Sequence, residues 1–108
     1  MSPPNDHQQP LRLLVAPKAS TVDMLFRMFG TVLIPLEAVR AALFRNLNAD
    51  RFGRVVATPR LPLPVTTLED STKAQRFIEI HHLAAHIEQR AGHADDTLAK
   101  TLGSEQET

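Results

Sequence analysis

Between Asn48 and Ile80 a short basic helix is closed by a proline, passes into a proline-spaced connector and ends in two β-prone runs around a polar turn. That order predicts a small, mostly helical α+β domain of the winged helix-turn-helix type with a two-stranded wing. The helix reads Asn48-Ala-Asp-Arg-Phe-Gly-Arg-Val-Val-Ala-Thr58. Asn48 is a good N-cap, Asp50 suits the positive end of the helix dipole, and Pro59 is the expected stop. At 3.6 residues per turn Phe52, Val55 and Val56 share one side, while Arg51, Arg54 and Thr58 fall on the other. One side packs and the other is free to meet a partner.

Arg60-Leu-Pro-Leu-Pro64 cannot continue a helix, because each proline lacks a backbone donor and drives its predecessor towards extended geometry. An ordered, extended connector is expected there. Val65-Thr-Thr-Leu68 and Arg76-Phe-Ile-Glu-Ile80 are the expected hairpin strands, with Glu69 to Gln75 as the turn.

Upstream, Ser20-Thr-Val-Asp23 has the spacing of a capping box and precedes Met24, Leu25, Met28 and Phe29, with Gly30 as a C-terminal stop. A helix apolar on most sides is buried in its own domain or against a second copy, so Met24, Leu25, Met28 and Phe29 are the candidate dimerisation residues. Thr31 to Ile34 is β-prone. Pro35 then opens a helix to Arg45 that buries Leu36, Val39 and Leu43 and shows Arg40 and Arg45 to solvent. Asn46-Leu-Asn48 is the turn of the helix-turn-helix. After the hairpin, His81 to Arg90 repeats the helical period with Leu83, Ala84 and Ile87 inward and ends at Gly92, and Asp95 to Leu102 has weak helical character. The expected organisation is a mostly disordered arm over 1–19, in which Leu11 to Val15 could anchor or form a short strand. A DNA-binding domain over 20–92 and an acidic, flexible tail over 93–108 complete it.

Composition narrows the function classes. A single domain fits 108 residues, and a core of that size is small. The absence of cysteine excludes disulfides, thiol nucleophiles and thiolate-bound zinc. No stretch approaches the ~18 apolar residues a membrane span requires, and no signal-like segment opens the chain, so a soluble cytoplasmic protein is expected. Net charge is zero, but seven basic residues stand against three acidic ones from Arg40 to Arg76, whereas four acidic residues stand against Lys100 from Ala91 onwards. The middle is a basic patch and the end is acidic.

Four stretches carry a resemblance: the helix opening Ile34-Pro-Leu-Glu37, the connector Leu63-Pro-Val65, the turn Ser71-Thr-Lys-Ala74 and the helix Ile80-His-His-Leu-Ala-Ala-His-Ile-Glu88. In this order and spacing the chain, over roughly Thr21 to Gly92, resembles the pyocin activator protein (PrtN) family of small bacterial and prophage transcription regulators. The resemblance implies a regulator that binds double-stranded DNA upstream of bacteriocin or prophage genes and raises their transcription, with RNA polymerase as a further partner and the acidic tail one candidate for meeting it. One departure is Thr58-Pro59-Arg60, where the family leads one to expect a glycine and an acidic residue near the end of the second helix.

On the residues themselves, Arg51 and Arg54 are the candidate base readers, since a guanidinium can grip a guanine edge with two hydrogen bonds. Arg45, Thr58, Arg60, Lys73 and Arg76 complete the candidate DNA contacts as backbone clamps and flank. His82 and His86 share a helix face, but with His81 and His93 they do not make three or four convergent ligands, so no metal and no cofactor is expected. No glycine-rich phosphate loop or paired carboxylate supports an enzyme. Two other readings stay open: an excisionase-like protein that bends DNA, and an antirepressor-like interaction module that binds none.

Overall fold

The computed structural model describes residues 16–107. The expected arm therefore lies, up to residue 15, outside the described residues. Among the described residues four helices and a two-stranded antiparallel sheet follow in the order α1 (Ala19–Phe29), β1 (Leu33–Pro35), α2 (Leu36–Leu43), α3 (Ala49–Val55), β2 (Phe77–Glu79) and α4 (Ile80–Glu107). The class is α+β.

The sheet is three residues against three, in the register Leu33 to Glu79, Ile34 to Ile78 and Pro35 to Phe77. Ile34 and Ile78 face each other and are both fully buried, while their neighbours alternate outward as the pleat requires. The sheet is not the hairpin expected from the β-prone runs. Of Val65–Leu68 and Arg76–Ile80, one pair joins: Thr66 and Phe77 exchange both backbone hydrogen bonds, at 2.8 and 2.9 Å. Beyond it Leu68 is 71% exposed and the chain leaves as a loop, while Ile80 already belongs to α4. β-propensity marks a residue that fits a half-buried pleat without choosing its partner, and here β1 supplies the paired edge.

α1 starts one residue before its expected capping box. Lys18 is the N-cap, its extended backbone accepting hydrogen bonds from the N–H groups of Thr21 and Val22. Gly30 ends the helix in the left-handed region at φ 75°, where a side chain would be strained. The four apolar residues proposed for dimerisation divide between two surroundings. Leu25 is buried in the chain's own core and Phe29 packs against it, whereas Met24 and Met28 are exposed.

α2 opens directly from Pro35 and is shorter than expected, ending before Phe44. Arg40, expected to face solvent, is instead drawn in. Its Nε and Nη2 donate to the carboxylate of Glu37 at 3.0 and 2.7 Å, and its Nη1 donates to the carbonyl of Leu47 at 2.9 Å. One fork thereby ties α2 to the turn before α3. The Asn48 side chain caps α3 as expected, accepting from the Arg51 N–H at 2.8 Å.

α3 ends at Val55, three residues short of Thr58. Pro59 is not what stops it. Ala57 takes a left-handed φ of 64°, its N–H donates to the carbonyl of Leu61 at 2.9 Å, and the chain turns tightly through Pro59 and Arg60. Beyond the turn the connector alternates as extended chain should: Leu61 and Leu63 are buried, Pro62 and Pro64 exposed. Phe52 lies beneath α3, 99% buried, with its ring centroid 5.1 Å from that of Phe44. Ile34, Val39, Leu63, Ile78, Ile80 and Leu83 complete the centre of the core.

α4 does not end at Gly92. A glycine within a helix costs about 1 kcal/mol relative to alanine, but it terminates one only where the backbone turns left-handed. Gly92 stays helical and residues 93–107, read from sequence as a flexible tail, continue the same helix.

The left-handed Ala57 makes a stability prediction. A left-handed conformation costs an L-residue about 1–2 kcal/mol, partly offset by the unfolded-state entropy that glycine adds. Ala57→Gly is therefore expected to stabilise the fold by about 0.5–1 kcal/mol, seen as a higher urea midpoint at unchanged slope.

Candidate nucleic-acid interface

The exposed face of α3 rests on Phe52. Because that ring is held in the core, the residues on either side of it project outward, and Asp50, Arg51 and Arg54 are exposed. Arg54 Nη1 donates to Asp50 Oδ2 at 2.6 Å, with the side chains 64% and 79% exposed. Pairs of this kind, one helical turn apart in water, contribute about 0.3–0.5 kcal/mol, so the bridge does little for stability. Its effect is to aim the guanidinium.

A second guanidinium arrives from outside the helix. Arg76, just before β2, donates from Nη1 to the carbonyl of Gly53 at 3.3 Å. A Cβ added at Gly53 would stand 3.0 Å from Arg76 Nη2, so the missing side chain is what lets Arg76 lie close across α3. Arg51, Arg54 and Arg76 are thus carried by α3 or laid upon it.

The remaining candidates are dispersed. Arg45 is exposed in the turn between α2 and α3, and Lys73 is exposed in the loop before β2, where its N–H donates to Ser71 Oγ at 3.0 Å. Thr58 was expected on the outer face of the helix; it lies beyond the helix end, half-buried, with its hydroxyl donating to the Val55 carbonyl. Arg60 is exposed in the tight turn and lines a different feature, a groove of about 800 Å³ between the end of α2, the connector and α4, with Leu43, Phe44, Leu83, His86 and Arg90. Two contributors were missed in the sequence. Asp50 was read as a helix-dipole residue, although its spacing to Arg54 already permits the brace, and Gly53 was given no role, although a glycine inside a helix costs stability and so invites a packing reason.

His81 and His82 serve local structure at the start of α4. His81 Nδ1 lies 2.7 Å from Glu79 Oε2, and the backbone N–H groups of His81 and His82 donate to Glu79 Oε1. Burial pulls the Glu79 pKa upwards, but these hydrogen bonds outweigh it and hold the carboxyl below its ordinary value. Among the described residues no three His, Asp or Glu side chains converge as a metal would need. Among the described residues, too, no helix is long and apolar enough to cross a membrane.

The geometry defines a small α+β domain with an outward, arginine-bearing helix seated on a buried phenylalanine. The chain belongs to the pyocin activator protein PrtN family, whose model matches residues 21–94. That family is one of regulatory activators, not of enzymes. Neither the curated proteins nor the solved structures offer a significant match.

His86 yields a pH prediction. It is carried by α4, half-buried, in a groove that Pro62 of the connector also lines, its Nδ1 without a hydrogen-bond partner among the described residues. Burial, with a smaller part from the charge of Arg90, holds its pKa below the ordinary imidazole value. Between the two values the unfolded chain binds a proton that the folded chain refuses. The stabilising contribution is therefore complete above about pH 6.5 and is lost as pH falls from there through the folded pKa. The stability gap between wild type and His86→Gln, measured by urea titration, is expected to be smaller at pH 5.5 than at pH 7.5.

Proposed function

We propose that this protein is a winged helix-turn-helix DNA-binding activator of bacteriocin genes, working in the cytoplasm on double-stranded DNA. The observation that carries the reading is the outward pair Arg51 and Arg54 on α3, with Arg76 laid across the same helix at Gly53. The order helix, strand, helix, helix, loop and strand, with Phe77 joined to Pro35 on one edge and Thr66 on the other, supports the winged arrangement. In this reading α3 enters a major groove, Arg51 and Arg54 meet base edges, and Arg45, Lys73 and Arg76 hold phosphates. Asp50 fixes the angle at which the Arg54 fork is offered. Thr58 shapes the helix exit instead of touching DNA, and Arg60 stands outside the contact set.

Transcription is raised by recruitment, with RNA polymerase meeting another surface. The exposed Met24, Phe26 and Met28 of α1 favour a protein contact there, either polymerase or a second copy of the chain.

Selection of binding sites from a random duplex pool tests the reading. Each good bidentate contact discriminates by about 1–3 kcal/mol, so Arg54→Ala is expected to weaken binding to the selected site by about 5- to 150-fold while changing random-duplex affinity far less. Asp50→Ala is expected to lower the ratio of specific to random affinity without weakening the random term. Affinity should fall with salt at a log–log slope of about −0.9 per phosphate held. Absence of micromolar binding to random duplex at low salt would overturn the reading in favour of an interaction module. A sharp bend in permuted-fragment gel shifts, without promoter activation, would favour an architectural role.

A further inference from the structure

The distal half of α4 carries an apolar stripe exposed at Leu98 and Leu102 and covered by no other described element. Counted at 3.6 residues per turn from Ile87, which packs against the core, Ala91, Ala94, Leu98 and Leu102 continue the face that buries Ile80, Leu83 and Ala84 further back. Leu98 is 58% exposed and Leu102 48%.

The course of the backbone points to what covers it. α1 runs antiparallel to α4: the Lys18 N–H, at the start of α1, donates to Glu88 Oε2 at 3.0 Å, and Val32, just past its end, accepts from the Ile80 N–H at 2.9 Å. The chain that precedes Lys18 therefore leaves beside Glu88, on course for the distal half of α4. Lys18 is extended, with φ −65° and ψ 141°, and Pro17 is half-buried, so the backbone still hugs the body at that point.

Spacing then matches side chain to side chain. In an extended segment every second residue shares a face and the repeat is about 6.6 Å, while one i to i+4 step along a helix rises about 6 Å. Continued in extended form from Lys18, three residues would span about 10 Å, close to the rise from Glu88 to Ala94. Two further steps bring Leu13 to Leu98 and Leu11 to Leu102. We propose that the segment Leu11–Val15 docks in extended form along the exposed stripe of α4, with Val15, Leu13 and Leu11 seated at Ala94, Leu98 and Leu102. The chain's own beginning is the partner of this surface, and the proposal is independent of the DNA reading.

The chain has no cysteine, so an engineered pair reports without background. In dilute protein under mild oxidation, Leu13→Cys with Leu98→Cys is expected to form an intrachain disulfide about tenfold faster or more than Leu13→Cys with Asp96→Cys, whose second position lies on the opposite face of the same helix with similar tether length. Amide exchange at residues 11–15 is expected to be slowed in wild type and released in the double variant Leu98→Asp, Leu102→Asp, both exposed positions whose replacement leaves the core intact. Equal disulfide rates, or exchange at 11–15 that the double variant does not alter, would overturn the proposal. Disulfides forming predominantly between chains in Leu98→Cys alone, with a dimer that Leu98→Asp dissociates, would overturn it in favour of a second copy.

Discussion

Ile34 against Ile78 is the contact from which the rest of the fold is laid out. The pair sits in a sheet of three residues against three, and a helix starts immediately after each strand: α2 from Pro35 and α4 from Glu79. Closing that short pairing joins residues separated by more than forty positions, and it sets the points at which two helices depart. So little hydrogen bonding could not hold alone, since an isolated two-stranded pair is at best marginal in water. It persists because Ile34, Ile78 and Ile80 are all shut away from solvent beneath the helices they launch.

The remaining core follows the same economy. Leu61 and Leu63 contribute from a segment with no regular hydrogen bonding, because a proline beside each keeps the backbone extended and turns alternate side chains inward. Phe52 then gives the short α3 a deep anchor, worth about 1.5–3 kcal/mol by burial, in a helix of seven residues that would not persist in isolation. The arginine face is therefore maintained by packing beneath it, whereas its own surface ion pair contributes orientation.

Much of this was legible from local chemistry. The Asn48 cap, the Gly30 stop and the extended connector through Pro62 and Pro64 each depend on a residue and its immediate neighbours, and each appears where the sequence placed it. What failed depended on something further away. The runs Val65–Leu68 and Arg76–Ile80 have strand-like composition, but composition does not say that β1, more than forty residues upstream, is the partner of β2. Gly92 looked like a stop because glycine often is one, yet a stop needs a left-handed turn and the following residues favour helix. Thr58 was placed by counting along a helix that Ala57 had already ended. At the candidate interface the outward arginines could be read from periodicity, while the seat of Arg76 over Gly53 required two segments to be brought together in space.

The unbroken α4 has a mechanical consequence. Its 28 residues make a rod of about 42 Å, one end of which is locked under the sheet through Ile80 and Leu83 while the other extends past the core. A stiff rod clamped at one end is a lever. Whatever grips the distal turns acts at a distance on the junction between Glu79 and Ile80, and so on the strand that bears Phe77 and, one residue earlier, the arginine resting on α3.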